Sequence, residues 1–137
     1  MKKITWVVFV ILCILIGLSP IIYGVFGLDF FTEKGVGLLS TKPNNTLTNQ
    51  LWRVSFYGHV FVGGISLLIG WIQFIPNYRE RFINVHRKIG KVYFFAVMIS
   101  GVLGLYIALF ASGGIVSKIG FMGLDIIWLS TTFIGVN

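Results

Sequence analysis

A chain of 137 residues that is 56% hydrophobic and 11% charged, with a mean hydropathy of +0.91, carries more apolar surface than a water-soluble fold of this size can hide. Its formal charge of +7 lies between apolar runs rather than in a tail or along one amphipathic helix, which excludes nucleic acid as the partner and leaves the lipid bilayer with its anionic headgroups. The one cysteine, Cys13, excludes a disulfide within the chain and a cysteine metal site.

A hydrocarbon layer of about 30 Å takes roughly 20 apolar residues per helix. The composition therefore predicts an all-α, polytopic transmembrane helical bundle of about four helices, built as a single integral membrane domain over residues 1–137. The first apolar run, 4–26, follows Lys2 and Lys3. It is longer than a signal-peptide core and lacks a small-x-small cleavage site, so it reads as an uncleaved span, with Pro20 removing one backbone donor inside it. Residues 27–53 turn polar and read as a loop outside the membrane, with Phe30, Phe31 and Trp52 at its interfaces. Asn44-Asn45-Thr46 within it matches a glycosylation acceptor, a pattern short enough to recur by chance.

The second span, 54–75, places His59, Gly63, Ser66, Gly70 and Gln73 on one helical stripe. Glycines there let another backbone approach, and polar side chains find partners across the contact, so this face is expected to look inward. The segment 77–91 holds Arg79, Arg81, Arg87, Lys88 and Lys91 against the single acid Glu80 and reads as a cytoplasmic loop. That assignment puts the N-terminus, and after four spans the C-terminus, on the cytoplasmic side of the cell membrane.

The third span, 92–111, repeats the stripe if its helix starts near His86: His86, Gly90, Tyr93, Val97, Ser100 and Gly104 share a face. Ala111-Ser112-Gly113-Gly114 is then a tight turn into the fourth span, 119–136, which holds Asp125, the one acid inside a span. Glycine-rich faces on spans two and three also suit a second copy of the chain or a partner membrane subunit.

Together, Tyr57-Gly58-His59, Gly70-Trp71-Ile72-Gln73-Phe74, Arg81, the segment from His86 to Tyr93 and Gly120-Phe121 with Trp128, Thr131 and Thr132 resemble a bacterial membrane-protein family, domain of unknown function 2306. The likeness covers residues 54–132 and is most specific in His-Arg-x-x-Gly-x-x-Tyr. It implies a helical membrane protein and supplies no activity. It also implies further helices after the fourth, so the chain reads as a C-terminally shortened relative.

Two candidate sites follow from the ionisable residues. His59 and Asp125 stand at about the same depth, roughly 8 to 9 Å below the outer ends of their helices by helix rise, and are expected to meet as a buried polar pair. At the inner edge Arg81, His86 and Arg87 form a site for an anionic ligand or a lipid headgroup. No HxxxH, HxxE, phosphate-loop or nucleophile-elbow pattern occurs, and no metal site is expected. The residues thus describe a non-enzymatic membrane component or transporter-like subunit. The alternative is a membrane electron-transfer protein in which His59 binds haem b. Depth forbids His59 and His86 from sharing one iron within a chain.

Overall fold

The computed structural model describes residues 3–25, 39 and 41–135, with side chains at 4–20, 39, 41–75 and 79–135. The expected interface aromatics Phe30 and Phe31, residues 27–38 and 40 of the expected outer loop and residue 136 of the expected fourth span lie outside the described residues. The elements are α1 (Lys3–Val25), α2 (Asn44–Thr48), α3 (Gln50–Gly70), α4 (Pro76–Arg81), α5 (Ile83–Ala108) and α6 (Gly114–Ile134). A 3-10 turn, Trp71–Phe74, continues α3. No strand occurs among the described residues, and the fold is all-α.

Three helices, Gln50–Phe74, Ile83–Ala108 and Gly114–Ile134, are long and apolar enough to cross a membrane, and α1 contributes a further apolar stretch, Ile4–Pro20. Among the described residues α1 packs on α3, α3 on α5 and α5 on α6, so the long helices stand in a row, each beside the next. Their contacts run in opposite directions along the chain: Phe9 meets Phe74 while Gly17 meets Leu68. Gly70 likewise meets Tyr93 while Gly63 meets Ser100. One end of the row therefore carries residues 75–91 and is called the basic end; the other carries α2 and the turn between α5 and α6 and is called the turn end.

Along the contacts between the long helices, small and polar side chains are buried while many large apolar ones face outward. Ser66 and Ser100 are 0% exposed, whereas Phe95 and Val102 are each 62% exposed. Hydrocarbon is as apolar as a leucine side chain and gives large residues no reason to hide. Small residues instead occupy the contacts, because there they bring backbones together and satisfy polar atoms. A Cβ built on Gly64 would stand 2.9 Å from the Gly17 carbonyl oxygen, so α1 and α3 touch backbone to backbone. Cys13, Gly17 and Pro20 are the buried residues of α1 and form the face it turns to α3.

Local structure departs from the expected loops in three places. The basic segment read as a loop over 77–91 is largely helical, since Arg and Lys are good helix formers. Phe82 alone, at φ −132° and ψ 52°, separates α4 from α5. At the turn end, α6 begins at Gly114, ahead of the apolar run that starts near Ile119, because Gly113 and Gly114 take φ of 99° and 78° and reverse the chain at once. In the expected outer loop, Asn44–Thr48 forms α2 and Asn49 caps α3, its side chain accepting a hydrogen bond of 3.2 Å from the Trp52 amide. Thr46 of the acceptor pattern is buried in that helix.

Candidate functional site

The two stripes expected on spans two and three pack against each other. A Cβ on Gly63 would lie 2.8 Å from Ser100 Oγ, one on Gly70 2.7 Å from the Tyr93 ring, and one on Gly90 3.3 Å from Gln73 Oε1. Within one chain, the faces expected to receive a second subunit already cover one another.

His59 sits near the turn end of this contact. The Ser100 hydroxyl donates to the His59 carbonyl at 2.9 Å, and His59 Nδ1 lies 2.8 Å from the Ser100 carbonyl. A carbonyl oxygen only accepts, so Nδ1 carries a proton. The pair of bonds clamps α3 to α5 and fixes the imidazole orientation and its tautomer. Ser100 is the partner that sequence reasoning did not give to His59; its place on the α5 stripe was the available signal.

Asp125 reaches the same point from α6. A Cβ on Gly104 would stand 2.6 and 2.8 Å from the two Asp125 carboxylate oxygens and 2.7 Å from His59 Nδ1. Carboxylate and imidazole therefore both lean over the bare Gly104 backbone, separated by no more than the sum of those distances. Three helices contribute to one half-buried polar cluster: His59 from α3, Ser100 and Gly104 from α5, and Asp125 from α6.

The end of α3 toward the turn is closed by a second cluster. Leu39, Leu47, Trp52 and Phe56 are buried together, with Tyr57, Val60, Tyr106, Ile107 and Phe110 packed on them. Trp52 stacks on Phe56 with centroids 5.1 Å apart. Lys42 donates to the Phe110 carbonyl, and the Thr41 hydroxyl meets that of Ser112 at 3.2 Å, which ties the segment before α2 to the turn before α6. Partial burial, with Lys118 nearby, holds the Lys42 ammonium below the usual lysine range.

The candidate residues at the basic end are not brought together in the same way. His86 lies in the first turn of α5, and its carbonyl accepts from Gln73 Nε2 at 3.4 Å. Its Nδ1 is buried without a hydrogen-bond partner. The Arg81 guanidinium lies 5.5 Å from the centre of the Phe82 ring, and Arg87 is exposed. His86 precedes Ser100 by almost four turns of α5, about 21 Å of rise, so His59 and His86 cannot share a metal ion within one chain. Among the described residues no three His, Cys, Asp or Glu side chains come together as a metal site.

Residues 56–137, which include the whole His59, Ser100, Gly104 and Asp125 cluster, match the family described as Predicted membrane protein (DUF2306). The chain belongs to that family. Within this DUF2306 protein the matched region takes in α3 from residue 56 onward and the whole of α5 and α6, while α1 precedes it. No curated protein and no solved structure matches the chain.

Proposed function

We propose that this DUF2306 protein is a transporter-like membrane component that carries protons through the His59 and Asp125 pair. The observation that supports this reading is their convergence over Gly104. An intramembrane acid and base within reach of each other pass a proton at small cost, whereas either one alone at that depth is expensive to charge. Nδ1, held at 2.8 Å from the Ser100 carbonyl, is the imidazole nitrogen that shares the Gly104 surface with the carboxylate, and Nε2 is left for a carried solute. On this reading the basic end faces the cytoplasm of the cell and the turn end faces out.

The test is proton flux in liposomes containing the purified chain, with an imposed pH gradient and a trapped pH dye. The chain should dissipate the gradient faster than empty vesicles, and both His59→Phe and Asp125→Asn should remove the excess. Flux equal to that of empty vesicles, or undiminished in both variants, would refute the proposal.

A further inference from the structure

At the basic end, remote from the proton pair, a cavity of about 510 Å³ is lined by Gln73, Phe74, Ile75, Arg79 and Glu80. Its size falls within the range of roughly 300 to 1,000 Å³ typical of small-molecule sites. Three features define what it takes. Phe74, at 63% exposed, ends a helix long and apolar enough to cross a membrane, and with Ile75 it offers an apolar wall. Arg79 offers a guanidinium, whose planar fork suits a phosphate. Glu80, the one acid among the five bases of residues 79–91, lines the same cavity and offers a carboxylate that only accepts hydrogen bonds.

A ligand that satisfies all three has a phosphodiester, a primary ammonium two or three bonds beyond it, and hydrocarbon attached. An anion alone would leave Glu80 facing like charge, and an apolar molecule would leave both ionic groups unanswered. Gln73 adds polarity: its Oε1 lies against Gly90, one amide hydrogen goes to the His86 carbonyl at 3.4 Å, and the other hydrogen is left for the ligand. We infer that this cavity is a binding site for an aminophospholipid headgroup of the phosphoethanolamine type, with phosphate on Arg79 and ammonium on Glu80.

The experiment is native mass spectrometry of the full chain released from nanodiscs that hold equal amounts of phosphatidylethanolamine, phosphatidylcholine and phosphatidylglycerol. Phosphatidylethanolamine should be retained over phosphatidylcholine by roughly tenfold, because a trimethylated amine cannot donate the charge-assisted bond to Glu80. Glu80→Gln should erase that preference while the protein stays folded, and Arg79→Gln should lower retention of all three lipids. Water-soluble glycerophosphoethanolamine, added to the released protein, separates headgroup recognition from lipid binding: displacement of the bound lipid places the contacts in the headgroup. Equal retention of the ethanolamine and choline lipids, a preference that survives Glu80→Gln, or no displacement by the soluble headgroup would overturn the assignment.

Discussion

At Gly104 a single methyl group would stand 2.6 Å from Asp125 Oδ2 and 2.7 Å from His59 Nδ1, closer than real carbon contacts allow. Gly104→Ala must therefore push the imidazole or the carboxylate aside, and overpacking of this kind costs about 1–3 kcal/mol. Denaturant titration in detergent should show that loss, while alanine at Gly120, where nothing lies within 4 Å, should be neutral or slightly stabilising in its helix. Asp125→Asn is the complementary change, since it keeps the shape and removes the charge. Histidine NMR in detergent should show a changed His59 titration and an unchanged one for His86, which lies almost four turns away along α5. Helix rise put His59 and Asp125 at one level in the sequence, and both side chains lie over Gly104. The clamp by Ser100 was not legible there, because hydroxyls at regular spacing report a face and not which carbonyl across the interface they choose; Ser66, on the equivalent face of α3, bonds back to the Gly63 carbonyl of its own helix.

Between elements, the tightest contact is where α1 crosses α3. Gly17 and Gly64 each face the other's carbonyl at 2.9 Å from the position of an added Cβ, and backbone cannot yield as a side chain can. Gly17→Ile should separate α1 from α3 and leave α3, α5 and α6 together, which limited proteolysis with mass spectrometry of the released α1 would show. Inward-facing stripes on α3 and α5 follow from periodicity, and their antiparallel register follows from a short connection. The Gly17 and Gly64 contact is harder to read, because Gly64 sits beside the α3 stripe and the two glycines of the first run, Gly17 and Gly24, do not themselves say which helix they meet. The same difficulty hides α2: five residues, Asn44–Thr48, carry no helical repeat, and their place is fixed by burial of Leu47 against the distant Tyr106 and Phe110 region. Lys42 holds that segment to the Phe110 carbonyl at a cost. Its folded pKa lies below the ordinary 10.5, so protonation favours release. That penalty is fully present at neutral pH and fades as the pH rises through the folded value toward 10.5. Hydrogen exchange at Leu47 and Thr48, corrected for the intrinsic rise with pH, should therefore show stronger protection near pH 10 than near pH 7, and Lys42→Gln should remove the difference.

For the whole molecule, direction across the membrane is a matter of charge, and the geometry divides that question in two. The chain passes along α3 from the turn end to the basic end and returns along α5, so Asn45, exposed on α2, and Asn84, exposed in the first turn of α5, stand at opposite ends of the row. Whatever the orientation, a reagent that cannot cross the bilayer reaches only one of them. Which one depends on the basic residues: among the described residues Lys3, Arg79, Arg81, Arg87, Lys88 and Lys91 group with the basic end, against Lys42, Arg53 and Lys118 with the other. Excess Lys and Arg in short segments stays on the cytoplasmic side. A cysteine at Asn45 should then react with an impermeant maleimide in intact cells, and one at Asn84 only after the membrane is opened; the native Cys13 is buried and contributes little background. Labelling of Asn84→Cys alone would reverse the orientation and place the His59 and Asp125 pair nearer the cytoplasm, with the helix row intact. Labelling of both in sealed cells would go further, because it would mean that α3 does not cross the membrane.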